Sequence, residues 1–185
     1  IRIHHPEAWK AEAFAEEMAD DVDAEIEPVS SPSDAVTGSD VTVVAATGSP
    51  PPKIEASWLK DDCLVIPLGD LRAPISAFDE DLVFCDIRRN TLEFAAHMDW
   101  QVMNALAAAV DDGVGLDLEE SELRALHEVV GGEDTAPTEG RSVLYSPGLP
   151  MEDVAWATRV YENAVEQDLG QTLTMFEEPY FSKPY

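Results

Sequence analysis

Apolar and polar positions change period several times along the chain. Ile1–His5 predicts a short strand, ended by Pro6, a residue suited to a first helical turn. Glu7–Asp20 then sets Trp9, Ala13, Phe14, Ala15 and Met18 at helical spacing on an acidic background, which predicts an amphipathic helix. Ala24–Val29 predicts a second short strand, and the Ser31 and Asp34 start signal predicts a short helix after it. The run VTVVAA (Val41–Ala46), bounded by Gly38 and Gly48, predicts a buried parallel strand. Thr47–Pro52 is a loop stiffened by three prolines, and Ile54–Leu59 predicts a brief helical segment around Trp58. Cys63–Leu68 and Leu82–Asp86 predict two more buried strands.

After Asp86 the pattern lengthens. Arg89–Val110 predicts one long helix through Leu92, Ala95, Ala96, Val102, Met103, Leu106 and Ala109. The stretch DDGVG breaks it, and Leu118–Val130 predicts a further helix ended by Gly131-Gly132. Ser142–Tyr145 predicts a last strand. Met151–Gln167 predicts a C-terminal helix with Val154, Trp156, Val160, Tyr161 and Ala164 facing inward, before an irregular tail. Strands alternating with helices in steps of roughly 20 residues imply an α/β fold, a parallel sheet with right-handed crossovers.

Composition narrows the function classes. The net charge is −27, from 38 acidic and 11 basic residues. Phosphates would be repelled, so nucleic acid is excluded as a partner, and an anionic membrane surface is disfavoured for the same reason. The acidic residues are spread over the whole chain, as on a surface adapted to high salt. No apolar stretch is long enough to span a membrane, and no signal peptide is present, which implies a cytoplasmic protein. Cys63 and Cys85 both lie in apolar runs and read as buried free thiols.

Parallel sheets bind ligands beyond the carboxyl ends of their strands. Those ends are His4-His5, Ala46–Ser49, Gly69-Asp70 and Asp86. Asp70 stands out, because a carboxylate at a strand end can shuttle protons. A turn aspartate bonded to its own backbone is the structural alternative. Thr47-Gly48-Ser49 offers a hydroxyl and backbone N–H groups to a nucleotide, or is an ordinary loop. Arg72 has two readings, neutralising a substrate carboxylate or phosphate, or pairing with Asp79 or Glu80. Adjacent His4 and His5 would point to opposite strand faces and make a poor chelate, so no metal site is expected. The chain has no GxSxG, GxGxxG or P-loop.

Taken in order, the segments IRIHHPEAWKAEAFAEEM, SDAVTGSDVTVVAATGSPPPKIEASWLKDDCLVIPLGD, FDEDLVFCD, LHEVVGG, GRSVLYSPGLPMEDVAWATRVYENA and LGQTL resemble the ornithine cyclodeaminase/mu-crystallin family. The DVTVVAATGS…WLKDD…GD and SPGLPMED blocks are the most specific. The resemblance implies a Rossmann-like sheet that lacks its first strand and glycine-rich turn, followed by C-terminal helices. It implies a partial NAD(P)-binding domain over 1–110 and a C-terminal helical segment over 111–185. The helical segment would pack on the first domain and on a missing N-terminal domain. The pyrophosphate loop, the substrate-gripping lysine and arginines and a homodimer contact would lie in that missing part. The 185 residues alone are therefore expected to be inactive.

The resemblance further implies an enzyme that uses NAD, or NADP, on a small amino acid. In the family reaction L-ornithine loses a hydride to NAD⁺, its δ-amine closes on the resulting imine, ammonia leaves, and the hydride returns to give L-proline. Asp70 matches the general acid/base of that reaction and touches substrate. Thr47, Leu68, Gly69 and Ser146 match cofactor contacts, and Pro147 matches a substrate contact. His5 falls where an acidic or amide residue usually grips the adenosine ribose. Pro74 replaces a cofactor-contacting lysine, and Ala45 the first threonine of a frequent T-x-T. An alanine-dehydrogenase-like or ketimine/imine reductase, and a non-catalytic NADPH-binding protein of the mu-crystallin sort, are the alternatives.

Overall fold

In a computed structural model the chain is described over residues 1–46, 48–135 and 139–173. It divides into two compact units, Ile1–Gly148 and Leu149–Tyr185.

The first unit opens with β1 (Arg2–Ile3), α1 (Ala8–Met18), β2 (Glu27–Pro28) and α2 (Pro32–Val36). Ser31 caps α2 by accepting from the Asp34 amide at 3.1 Å, which is the start signal read in the sequence. Next come β3 (Val41–Val44), β4 (Cys63–Pro67), β5 (Val83–Cys85), α3 (Arg88–His97), α4 (Gln101–Asp112), β6 (Arg124–Ala125), α5 (Leu126–Gly131) and β7 (Arg141–Tyr145). Short 3₁₀ turns lie at Ala56–Trp58, Ile75–Ala77 and Glu80–Leu82. Every strand pair described is parallel, as the α/β reading requires. The strands form two sheets, β1-β2 and β3-β4-β7-β5-β6. Because β6 and β7 join the same sheet as β3–β5, that sheet extends well past residue 110.

One face of the larger sheet, through Val65, Val83, Cys85 and Val143, is buried with Val102, Met103, Leu106 and Ala109 of α4 in one core. Burial there keeps both cysteines as free thiols and pushes Cys85 up to about 12, so it stays protonated and inert.

Several elements differ from the sequence reading. The run from Arg89 to Val110 is two helices, because Met98 and Trp100 are extended and Trp100 turns its ring onto Phe94 (centroids 5.6 Å apart, planes at 72°). Leu118–Val130 is not one helix. Arg124 and Ala125 instead extend the sheet beside Phe84 and Cys85, and only Leu126–Gly131 winds, with Gly132 as its left-handed cap. β3 is not a fully buried strand. It pairs on one side with β4, and Val41 and Val43 are exposed. On α1 the buried residue is Ala11, while Trp9 and Phe14 are exposed. On α6 (Pro150–Glu166), in the second unit, Val154, Trp156, Val160 and Tyr161 are exposed rather than inward. Helical period alone identified the helices but not what covers them.

The start of β7 is held by Arg141. Its guanidinium donates to the carbonyls of Lys60 (3.0 Å), Leu59 (3.2 Å) and Ala56 (3.5 Å) and to Asp61 Oδ1 (3.2 Å). Gly140 before it has φ +107°, and a Cβ there would run into Asp79 and Leu82. Arg141→Met keeps the stem but strands three carbonyls. It should lower unfolding free energy by about 2–3 kcal/mol in a urea titration. A loss below about 0.5 kcal/mol would show that water replaces the guanidinium at no cost.

Candidate active site

Neighbouring parallel strands end at the same rim. Val65 pairs with Val143 and Cys85 with Tyr145, so β4, β7 and β5 finish side by side. Beyond them come Leu68-Gly69-Asp70, then Ser146-Pro147-Gly148, then Asp86. The fold therefore gathers five of the residues singled out from sequence: Leu68, Gly69, Asp70, Ser146 and Pro147.

Gly69 is buried, and a Cβ on it would sit 3.3 Å from the Ala46 carbonyl, so glycine lets the chain after β4 pass close to the end of β3. Leu68 is half exposed, an apolar side chain left open beside Asp70. Asp70 is half-buried and does not close a turn on its own backbone. Its Oδ1 accepts the Val102 amide at 3.3 Å, in the first turn of α4. The Met98–Trp100 break in the predicted long helix creates that N-terminus, whose amides lack intrahelical partners. Neither sequence reading of Asp70 anticipated this contact, because it joins residues 32 positions apart.

Sequence reasoning placed Asp86 at a strand end but gave it no role. In the structure it is buried, at 6% exposure. Its amide donates to the Tyr145 carbonyl at 3.3 Å, which continues the β5–β7 register and sets it opposite Ser146. Burial pushes its carboxyl up, while hydrogen bonds from the Ser146 hydroxyl and the Gly148 amide pull it partly back. Oδ2 is buried with no partner among the described residues. The apolar run before Asp86 was the available signal. The partnership with Ser146 depends on pairing strands far apart in sequence.

Other candidates go elsewhere. His5 follows β1 in the two-stranded sheet, and its Nδ1 accepts the Glu7 amide at 3.0 Å. Thr47 lies outside the described residues. Arg72 pairs with neither Asp79 nor Glu80: its Nε donates to the Pro51 carbonyl at 2.8 Å, stitching the proline loop to the segment after β4. Pro74 precedes the 3₁₀ turn at Ile75–Ala77. A cavity of about 420 Å³ opens near the amino ends of the strands, between Leu64, Phe84, Leu144, Leu126 and Val129. It lies away from the rim that carries Asp70 and Ser146, and the chemistry-bearing residues place the site at the rim.

Solved structures share the fold. The chain aligns with Thermococcus litoralis Δ1-pyrroline-2-carboxylate reductase in complex with NADH and L-proline (TM-score 0.69, 21% identity), over 93% of this chain and 52% of that one. An archaeal alanine dehydrogenase dimer with bound NAD aligns at TM-score 0.64 and 21% identity, over 95% and 52%. A probable ornithine cyclodeaminase from Bordetella pertussis Tohama I aligns at TM-score 0.65 and 20% identity, over 93% and 53%. The chain thus spans about half the length of these structures. No curated protein matches it. The ornithine cyclodeaminase/mu-crystallin family profile matches residues 1–168, and the chain belongs to the ornithine cyclodeaminase/mu-crystallin family.

Proposed function

We propose that this chain is the cofactor-facing part of an NAD-dependent, ornithine-cyclodeaminase-like enzyme that converts L-ornithine to L-proline and ammonia. The observation that carries the reading is the meeting of Leu68, Gly69, Asp70 and Ser146 at one sheet rim.

The residues present fit part of a dinucleotide site. Exposed Leu68 offers an apolar wall for a flat ring, Gly69 leaves room for close backbone approach, and Ser146 supplies a polar contact. The glycine-rich turn that would hold a pyrophosphate is not in this sequence. Two strand edges bear on that. Among the described residues β1 and β3 each pair on one side only, and Val41 and Val43 lie exposed on β3. A parallel strand between them would join the two sheets in the order of a doubly wound nucleotide-binding fold. The complementing half would supply that strand with its turn, the substrate-gripping cations and a homodimer contact.

Bound NAD⁺ supplies a hydride acceptor that is regenerated within the same turnover. Asp70 takes a proton from the substrate amine and returns it, while its second task at the Val102 amide holds the carboxylate in place. Pro147, beside Ser146, limits the space on the substrate side.

The test is the full-length protein with L-ornithine and catalytic NAD⁺. Proline and ammonia formed without net NADH are the expected result. Stoichiometric NADH from an amino acid would make it an alanine-dehydrogenase-like enzyme. NADPH binding without turnover of any amino acid or cyclic imine would place it with mu-crystallin-type binding proteins.

A further inference from the structure

A complementing strand between β1 and β3 gives the end of β1 a definite place. The order then reads β2, β1, added strand, β3, β4, the 3-2-1-4-5 arrangement of doubly wound nucleotide-binding folds. In that arrangement β1 is the second strand, and the residue at its carboxyl end reads the adenosine ribose. An acidic residue there accepts from the ribose hydroxyls and repels a 2′-phosphate. After β1 this chain carries His4 and His5 instead.

The two imidazoles are held in opposite ways. His4 Nδ1 lies 3.3 Å from the Val29 carbonyl, which only accepts, so His4 donates there and ties the end of β1 to the end of β2. His5 Nδ1 accepts the Glu7 amide at 3.0 Å. A ring nitrogen that accepts carries no proton, so the proton of His5 sits on Nε2. His5 is half-buried, and among the described residues its Nε2 has no partner. It therefore presents a neutral ring with one N–H to give.

The charged neighbours in sequence are engaged elsewhere. Glu7 pairs with Lys10. The Arg2 guanidinium donates to the Asp34 carbonyl at 2.7 Å and to the Ser39 hydroxyl at 2.9 Å. The reading of a ribose thus falls to the His5 N–H. Such a donor suits the oxygen of a ribose hydroxyl and that of a phosphate alike, and a neutral ring repels neither.

We propose that His5 is a specificity-determining residue whose Nε2–H admits a 2′-phosphate, so that the enzyme binds NADP(H) alongside NAD(H). This rests on the reading of the chain as a dinucleotide-binding domain and settles which dinucleotides that domain accepts. The Glu7 amide orients the ring, and the ring meets the adenosine ribose.

The experiment titrates the full-length protein with NADH and with NADPH, read by fluorescence in molar KCl. That salt screens the long-range repulsion of a phosphate by this chain's net charge of −27. The wild type should bind NADPH no more than about tenfold weaker than NADH. His5→Asp still accepts the amide two residues on, as turn aspartates do, but sets a carboxylate against the phosphate. It should weaken NADPH relative to NADH by about a hundredfold. His5→Ala has no donor and should weaken NADPH about tenfold more than NADH, the worth of one hydrogen bond to a charged group. The ratio of the two affinities is the readout, because damage to the turn would weaken both dinucleotides equally. A wild type that rejects NADPH by more than about tenfold overturns the proposal. So does a ratio unmoved by either substitution, since His5 would then only brace the turn before α1. Should His5→Asp not fold, the wild type and His5→Ala still decide. Failure of the wild type to bind either dinucleotide would instead remove the NAD reading of the chain, and this proposal with it.

Discussion

Asp70→Asn in the full-length protein should lower kcat by about 10²–10⁴, the usual worth of a positioned general acid/base, with NAD⁺ affinity changed by no more than a few fold. The structure makes this substitution a clean one. Asp70 Oδ1 accepts the Val102 amide at 3.3 Å, and asparagine keeps an oxygen in that place. The α4 N-terminus therefore stays satisfied, and stability should hold to within about 0.5 kcal/mol. What the amide cannot do is accept and return the proton of an amine. Asp70→Ala removes both functions and should add a stability loss of about 1 kcal/mol, the typical cost of a lost cap. Comparing the two variants separates the cap from the chemistry. Turnover that survives Asp70→Asn within a few fold would leave Asp70 as a helix cap alone. Equal melting temperatures for wild type and Asp70→Ala would remove the cap instead.

The fold was legible wherever local pattern decides it. Apolar runs marked β3, β4 and β5, and Ser31 and Gly132 marked the helix ends where they stand. What escaped was decided by distant pairing. Arg124 and Ala125 leave a helical pattern because the β5 edge offers them a ladder. The long predicted helix breaks at Met98–Trp100, where Trp100 meets Phe94 and the next helix presents its amides to Asp70. The site divides along the same line. Asp70 was visible as a carboxylate after an apolar run. Asp86 had the same signature, yet its meaning came only from Ser146, which pairing of two parallel strands brings opposite it. Exposure was the least legible property. Val41 and Val43 look like core residues in sequence, and whether they are covered depends on what pairs with the free edge of β3.

Raising KCl from low millimolar to molar concentration should raise the melting temperature of the full-length protein by about 10 °C or more, provided its remainder shares this chain's charge. The driving term is a net charge of −27 on 185 residues, and close pairing does little to offset it. Most of the ion pairs among the described residues are exposed, such as Lys10–Glu7, Lys53–Glu55 and Arg89–Glu93. Exposed pairs of this kind contribute about 0–1 kcal/mol each. The half-buried Arg88–Glu128 pair, whose guanidinium holds the Glu128 carboxyl below its usual range, will respond least to salt. Repulsion among the remaining carboxylates acts over distances that the Debye length crosses, about 30 Å at 0.01 M and 3 Å at 1 M, so molar salt removes nearly all of it. Sodium sulfate would also strengthen apolar burial, which makes KCl the better probe of charge. KCl and a less hydrating salt such as CsCl should act alike at equal ionic strength if screening is the cause. A melting temperature that does not move between low and molar KCl would mean that the carboxylates are already compensated, and the salt-adapted reading of this surface would fall.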